Sequence, residues 1–141
     1  MKFKKQTLFS LAIAASVLAS CSSKQTENTE SNAALDNIMT RTSIRAYTAD
    51  SISKENIETM LRAAMAAPSA GNKQPWRFVV VENRATLDSI GANFGSMKMA
   101  SQAPLGIVVC GDLEATFPEE GRDYWIEDTS AAMENLLLAA H

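Results

Sequence analysis

Two short segments carry the side chains whose types and spacing could do chemistry. The first, residues 41–45, reads Arg-Thr-Ser-Ile-Arg and places two guanidinium groups and two hydroxyls within five residues. Guanidinium forks bind phosphate oxygens in pairs, and hydroxyls add further donors. The segment therefore predicts a phosphate site formed by Arg41, Thr42, Ser43 and Arg45. Taken alone, the two arginines are also typical of solvated surface charges.

The second segment is a loop of small and amide-bearing residues that ends in a bulky anchor, Trp76. Residues 68–76 read Pro-Ser-Ala-Gly-Asn-Lys-Gln-Pro-Trp. Small side chains let the backbone approach a flat ligand closely. An anchored phosphate beside an aromatic ring system describes a flavin mononucleotide (FMN) site. The alternative is that Ser69 and Asn72 only form turns, since such residues occupy loops for conformational reasons.

Two helices with regular apolar spacing must position these segments. Asn32 can cap a short helix that ends close to Arg41. Ser53 can cap a second helix, which Pro68 stops because the residue before a proline avoids helical geometry. The apolar positions are Leu35, Ile38 and Met39 in the first helix, and Ile57, Met60, Leu61 and Ala64 in the second. Each segment thus follows the end of a helix.

Two apolar runs predict strands after the second segment. Residues 78–81 are aromatic and β-branched, which favours a strand. Residues 105–110 form a continuous apolar run, which predicts a strand buried at a sheet centre with Cys110 as a small core residue. Between them a helix is expected from about Arg84 to Asn93, with Leu87, Ile90 and Phe94 as its apolar positions.

A strongly apolar final helix is predicted to open at Asp128, Thr129 and Ser130. No Gly or Pro follows to stop it before His141, a residue with no evident partner. An apolar helix of this kind needs more partners than two strands supply. We therefore expect either that a second subunit completes the core or that the sequence lacks a C-terminal part.

The order of these features resembles that of the FMN-dependent nitroreductase family, from about Asn37 to the last residue. The motifs that carry the resemblance are Arg41-x-Ser43-x-Arg45 and Pro68-Ser69-x-x-Asn72-x-Gln74-Pro75-Trp76. The resemblance implies an α+β nitroreductase-like fold, with a central antiparallel or mixed sheet flanked by helices. Relatives continue with a Gly-rich turn, a further strand and a C-terminal segment, so the fold is expected to be incomplete at the C-terminus here.

The resemblance also implies roles for individual residues. The flavin phosphate and ribityl oxygens would be held by Arg41, Thr42, Ser43 and Arg45. The flavin ring, at a homodimer interface, would be approached from the other subunit by Pro68, Ser69 and Ala70. Asn72 and Gln74 would supply amides for ring and loop hydrogen bonds. Lys98 would lie near the pyrimidine edge, where a cation stabilises reduced flavin, unless it is simply an exposed charge.

The implied reaction is ping-pong electron transfer through one flavin site. A donor, NAD(P)H in most relatives, would pass hydride to flavin N5, and a nitroaromatic or quinone acceptor would then bind in the same place. The flavin carries the electrons, and the protein supplies position and electrostatics. No nucleophile, catalytic triad or metal cluster is required by this chemistry or visible in the sequence.

The first residues are typical of an exported lipoprotein. Three lysines precede an apolar run at 8–18, which predicts a signal peptide over residues 1–20. The sequence Leu-Ala-Ser-Cys at 18–21 resembles a bacterial lipobox, in which Cys21 is lipidated. An ordinary signal peptide followed by a chance cysteine is the alternative. Residues 22–32 contain no apolar side chain and predict a flexible tether, so the domain spans 33–141.

The net charge and the predicted location further limit the possible functions. Without the three leader lysines the formal charge of −3 becomes −6, which argues against nucleic-acid binding. We expect a membrane-anchored lipoprotein on the periplasmic or surface side of the cell envelope. Free NAD(P)H is not expected there, so an electron donor of another kind is predicted. The alternative function is a non-catalytic envelope lipoprotein, or a truncated remnant of a nitroreductase.

Overall fold

Four helices and two strands follow one another in residues 32–141, the part of the chain that the computed structural model describes. The elements are α1 (Ala33–Thr40), α2 (Lys54–Met65), β1 (Trp76–Val81), α3 (Arg84–Asn93), β2 (Gly106–Gly111) and α4 (Tyr124–Ala140). Short 3₁₀ turns span Ala70–Asn72, Gly95–Ser101 and Glu119–Gly121. The predicted signal peptide, Cys21 and nearly all of the tether lie outside the described residues. Within residues 32–141, no helix combines the length and apolar character that crossing a membrane requires.

The helix that leads into the 68–76 loop begins and ends where its sequence predicts. The Ser53 hydroxyl accepts a hydrogen bond from the Asn56 N–H at 3.1 Å, so it caps α2. The helix ends at Met65, and Ala66 serves as its C-cap. Pro68 follows two residues later, which agrees with the bias of proline against helical geometry in the residue before it. The loop thus leaves α2 at a defined point.

The core lies where α2 packs across α4. Ala64 and Ala132 are both 0% exposed, and small side chains at these positions let the two helices approach closely. The other buried members of this cluster are Met60, Ala67, Trp76 and Leu136. The sheet adds the side chains of one of its faces, because Phe78 and Val109 pack against the cluster. The anchor of the 68–76 loop, Trp76, is therefore part of the core.

The sheet consists of β1 and β2 paired antiparallel, from Trp76 opposite Gly111 to Val81 opposite Gly106. Residues directly opposite each other share a face, and the faces alternate along each strand. The inner face carries the pair Phe78 and Val109. The outer face carries two further pairs, Arg77 with Cys110 and Val79 with Val108. All four of these outer residues are exposed.

Two predictions about buried positions were wrong. β2 is not buried on both faces, and Cys110 is exposed on its outer face rather than a core residue. The continuous apolar run hid an alternation, because Val108 and Cys110 are apolar yet point outward. Phe94 does not pack in α3: it is the C-cap and is 60% exposed, since α3 ends one residue earlier.

The final helix begins four residues before the predicted start. α4 starts at Tyr124, so Asp128 is not a capping residue but lies in the second turn, 5% exposed. Thr129 is also buried, and its hydroxyl donates to the Trp125 carbonyl at 2.7 Å, inside the helix. His141, for which the sequence indicates no evident partner, has its Nε2 atom 2.9 Å from the Thr40 hydroxyl.

Candidate functional site

The 41–45 segment leaves α1 beside the outer face of α4. The Asn37 side-chain amide donates to the Leu138 carbonyl at 3.0 Å, which fastens α1 to the C-terminal half of α4. The chain then turns out of α1, and the Arg41 Nε atom lies 3.5 Å from a carboxylate oxygen of Glu134. This ion pair is the contact that joins the Arg41 side chain to α4.

The remaining donors of the 41–45 segment face solvent. Thr42, Ser43 and Arg45 are all exposed. The Arg45 guanidinium donates to the Ser43 carbonyl at 3.3 Å, a contact within the segment itself. Since an exposed guanidinium and two exposed hydroxyls lie close together in sequence and can turn to one side, the donor chemistry fits a phosphate group.

The 68–76 loop is braced by its own side chains. The Ser69 hydroxyl accepts a hydrogen bond from the Gln74 N–H at 3.0 Å, across the base of the loop. The Gln74 side-chain amide donates to the Asn72 side-chain oxygen, also at 3.0 Å. Within the described structure these two amides pair with each other, so they act as loop-forming groups. That is one of the two roles predicted for them.

The backbone of this loop is held in a conformation that L-residues rarely adopt. Three of its residues have positive φ: Gly71 at 54°, Asn72 at 55° and Gln74 at 50°. Asparagine tolerates the left-handed region better than most residues, whereas glutamine has no such advantage. Strained backbone of this kind persists where surrounding contacts over-determine it, and it clusters at ligand sites. The loop therefore has an unusual backbone shape that its contacts must maintain.

Contacts from outside the loop hold it in place on two sides. The Phe117 ring packs against Gly71 so closely that a Cβ atom there would lie 2.6 Å from the ring. The Lys73 ammonium lies 5.0 Å from the centroid of the same ring, within cation–π range. From α4, the Asp128 carboxylate accepts a hydrogen bond from the Ala70 N–H at 2.8 Å. Pro75, at the far end, is almost completely buried.

The contact between Asp128 and Ala70 was not predicted from the sequence, which indicated only that a helix opens at residues 128–130. The signal that could have found it is spacing: Asp128, Ala132 and Leu136 recur every four residues and so share one helix face. A polar residue on a core face requires a polar partner, and the Ala70 N–H is that partner.

Lys98 lies in the 3₁₀ turn Gly95–Ser101 and is exposed. Arg84 fastens this turn to α3: its guanidinium donates to the carbonyls of Ala100 and Ala103, each at 2.9 Å. In residues 32–141, no hydrogen bond or ion pair joins Lys98 to another predicted site residue. Its predicted flavin contact stays a prediction.

The two motifs are attached to different sides of α4. Arg41 meets the helix at Glu134, and Ala70 meets it at Asp128, six residues earlier. Six residues correspond to about 9 Å along a helix axis and about 120° around it. One copy of the chain thus holds the 41–45 segment, predicted to bind phosphate, and the 68–76 loop, predicted to meet the ring, on separate faces of α4. It does not bring them into one pocket.

Two cavities beside α4 differ in character, and neither is lined by a predicted site residue. One, of about 430 Å³, is almost entirely apolar and runs between β2 and α4, past Met133, Leu136 and Leu137. The other, of about 250 Å³, is open and is lined by Val109, Thr129, Ser130, Met133 and Glu134. The second borders the carboxylate that pairs with Arg41. No cluster of His, Cys, Asp or Glu in the described part of the chain is arranged to hold a metal ion.

Comparison with known proteins assigns this arrangement to a family. The sequence profile of the nitroreductase family matches residues 38–96, a stretch that contains both motifs. An inferred NADH dehydrogenase/NAD(P)H nitroreductase of Archaeoglobus fulgidus is 49% identical over 104 residues, which are 73% of this chain.

Solved structures give the same assignment. A protein of Bacteroides thetaiotaomicron, named in the same terms as the Archaeoglobus protein, superposes with a TM-score of 0.72 at 50% identity over 77% of this chain. An inferred nitroreductase of Desulfovibrio desulfuricans, solved in complex with FMN, gives a TM-score of 0.68 at 34% identity over 78% of this chain. The chain belongs to the nitroreductase family, and its described part has the α+β fold of that family.

The match extends over only part of each relative. The chain spans 58% of the length of the Archaeoglobus protein, 61% of the Bacteroides chain and 63% of the Desulfovibrio chain. The predicted fold class and family are thus confirmed, while the roles predicted for individual site residues stay predictions.

Replacing Gly71 with alanine tests whether the shape of the loop depends on this position. The positive φ and the Phe117 ring both oppose a Cβ atom, so we expect Gly71→Ala to lower the free energy of unfolding by about 1–2 kcal/mol or more. Gly95→Ala is the matched control, because nothing lies within 4 Å of a Cβ atom there. Urea unfolding of both variants measures the difference. Equal effects at the two positions would contradict this account of the loop.

Proposed function

We propose that this chain forms the FMN-binding part of a nitroreductase-family oxidoreductase. The observation that carries the proposal is the 68–76 loop, which has three positive-φ residues and side chains that brace it. These hold its first residues, Pro68, Ser69 and Ala70, in a fixed shape; we call these three residues the Pro68–Ala70 ridge. The Desulfovibrio relative solved with FMN supports a flavin as the ligand, as does a 25% identical relative named FMN reductase in Bacillus subtilis. FMN would supply the electron-carrying ring.

Arg41, Thr42, Ser43 and Arg45 would hold the phosphate and ribityl oxygens. Arg41 is paired with Glu134, but the 3.5 Å separation and the 53% exposure of the Glu134 side chain make this a weak ion pair. Exposed pairs of this kind contribute about 0–1 kcal/mol. A phosphate, which offers two oxygens to one guanidinium, can therefore replace the carboxylate as the partner of Arg41.

The other predicted residues would set the shape and the electrostatics of the site that holds the flavin ring. Pro68, Ser69 and Ala70 would present backbone and small side chains to the ring, while Asn72 and Gln74 would keep the loop in shape. Lys98 would contribute positive charge near the ring, which favours its reduced, anionic form. The chain's own residues would thus bind and orient the flavin and stabilise its reduced form, and no catalytic side chain is assigned.

A second copy of the chain would complete the site. The 41–45 segment and the 68–76 loop meet α4 on faces about 120° apart, so a single copy holds one half of each of two sites. Exposed apolar side chains near the first motif favour such a partner: Ile38 is 53% exposed, Met39 82% and Ile44 62%. The proposed assembly is a homodimer with FMN at its interface.

The names of the relatives favour NADH or NADPH as the electron donor and a small oxidised molecule as the acceptor. Nitroaromatics and quinones are the proposed acceptors, and donor and acceptor would use one site in turn. The predicted lipid anchor would hold this domain at the cell envelope, where another donor is expected. That alternative rests on the leader sequence alone.

A second candidate function is a non-catalytic envelope lipoprotein, or a remnant that no longer binds flavin. Two observations favour it: the first arginine of the motif is engaged by Glu134, and neither cavity beside α4 is lined by a predicted flavin residue. FMN binding separates the two candidates.

Titration of the purified full chain with FMN is the direct test. We expect quenching of flavin fluorescence with a 1:1 end point per chain, and bleaching of the flavin absorbance when NADH or NADPH is added without oxygen. Sedimentation should give a dimer. A chain that is folded by circular dichroism yet leaves FMN unquenched at saturating concentration would exclude the proposed function for this chain.

Arg41→Ala tests the phosphate assignment. Loss of a charge-assisted hydrogen bond should weaken FMN binding by about 1.5–3 kcal/mol, as measured by the same titration. Arg62→Ala is the matched control, because Arg62 is an exposed arginine in the last turn of α2. Unchanged affinity in Arg41→Ala, or equal losses in the two variants, would remove Arg41 from the site.

Cys21→Ala tests the proposed anchor. The wild-type chain should sediment with membranes and enter the detergent phase, since acyl chains provide the membrane affinity. Cys21→Ala should appear in the soluble fraction, whereas Cys110→Ala, which changes the other cysteine, should behave as wild type. A wild-type chain that is itself soluble would rule out the lipoprotein assignment.

A further inference from the structure

Asp128 is the one carboxylate of the described chain that is both buried and aimed at the 68–76 loop. It is 5% exposed, in the second turn of α4, and its Oδ1 atom accepts the Ala70 N–H at 2.8 Å. Ala70 is the first residue of the 3₁₀ turn Ala70–Asn72. The first N–H groups of a helical turn have no partner within the turn, and a carboxylate satisfies such a donor well.

The other oxygen of the same carboxylate is buried without a partner. Among residues 32–141, no group forms a hydrogen bond to Asp128 Oδ2. Burial of an unsatisfied carboxylate oxygen opposes folding, so an aspartate here is a poor choice for stability alone. An aspartate at such a cost to stability is accounted for when its charge does something that a neutral core residue would not.

What the charge does is set the position of the loop backbone. The Ser69–Gln74 and Gln74–Asn72 hydrogen bonds brace the loop internally, but they do not tie it to the rest of the fold. Three contacts tie it there: the Phe117 ring at Gly71, the Asp128 carboxylate at Ala70, and the Asp112 N–H, which donates to the Pro75 carbonyl at 2.7 Å at the far end of the loop. At the Pro68–Ala70 end the carboxylate is the directional contact, because it fixes where the Ala70 N–H points.

We propose that Asp128 is a positioning residue for the flavin site, acting through the Ala70 backbone to hold the Pro68–Ala70 ridge at the depth and angle at which it meets the ring. This inference rests on the proposed function, since it assigns the ridge to a flavin. Asp128 does not touch the ring: it orders the backbone that does. The ordering is in place before the ligand arrives, so binding does not have to supply it.

The test compares Asp128→Ala and Asp128→Asn with Asn135→Ala in the full chain. Asn135 is a matched control: it lies on the same helix, and its side chain also makes one long-range bond, to the Ala63 carbonyl at 3.1 Å, away from the loop. Amide hydrogen exchange by NMR reports on the loop without FMN. The fluorescence titration then reports on FMN affinity.

We expect Asp128→Ala to speed exchange of the Ala70 amide at least about tenfold beyond any change in global stability, and to weaken FMN binding about tenfold to a hundredfold. Asp128→Asn keeps an oxygen that can accept the Ala70 N–H, so it should restore part of both losses. Asn135→Ala should lower global stability while leaving loop exchange and FMN affinity at wild-type values. If loop exchange in the Asp128 variants changes no more than in the control, the proposal is wrong.

The design separates failure of this proposal from failure of the proposed function and from failure to fold. If wild type fails to bind FMN, the proposed function fails, and loop exchange alone still decides whether Asp128 positions the loop. If Asp128→Ala does not fold, Asp128→Asn carries the comparison. The wild-type chain gives a further check: a rapidly exchanging, unprotected Ala70 amide would overturn the proposal without any variant.

Discussion

Close packing of α2 on α4 is the constraint on which the rest of the structure depends. Ala64 and Ala132 are completely buried where the helices meet, and a larger side chain at either position would separate them. The distance between these helices sets where the 68–76 loop begins, since the loop leaves the end of α2. It also sets what the loop meets, since Asp128 projects from α4 one turn before Ala132. The hydrogen bond between the Ala70 N–H and the Asp128 carboxylate thus links the packing of the helices to the position of the loop.

The two candidate segments differ in how their geometry is fixed. The 68–76 loop is determined by internal bonds, a ring contact and a buried carboxylate, so its shape belongs to the fold. The 41–45 segment has one ion pair and otherwise faces solvent, so its side chains can adjust. Such a division suits a ligand with one rigid and one flexible part. In the proposed site, a fixed surface would meet the flat ring, whereas the guanidinium groups would follow a phosphate on a flexible chain.

Local signals in the sequence were sufficient for α1, α2 and α3, but not for the start of α4 or for the loop contacts. The bounds of α3 could be predicted because a helix-favouring stretch lies between clear breaks, and Asn83 caps it by accepting the Thr86 N–H. The motif residues could be identified because their types are unusual together. Asp128 could not be assigned in the same way: the bond to Ala70 joins residues 58 apart, and a start signal at residues 128–130 looked complete by itself. Likewise, the alternation in β2 was hidden because Val108 and Cys110 are apolar on an outward face.

The pairing of β1 with β2 has a consequence for how this chain behaves at high concentration. In residues 32–141 the sheet has two strands, so each strand is an edge strand with one row of N–H and C=O groups directed away from its partner. β1 reads Trp-Arg-Phe-Val-Val-Val, and such a β-prone segment at an open edge favours cross-strand aggregation. Arg77 is the charge that interrupts this run, and Asp112 holds its guanidinium at 2.6 Å beside the strand. A charge within such a run is typical of a gatekeeper, a residue that opposes pairing between the edges of separate molecules.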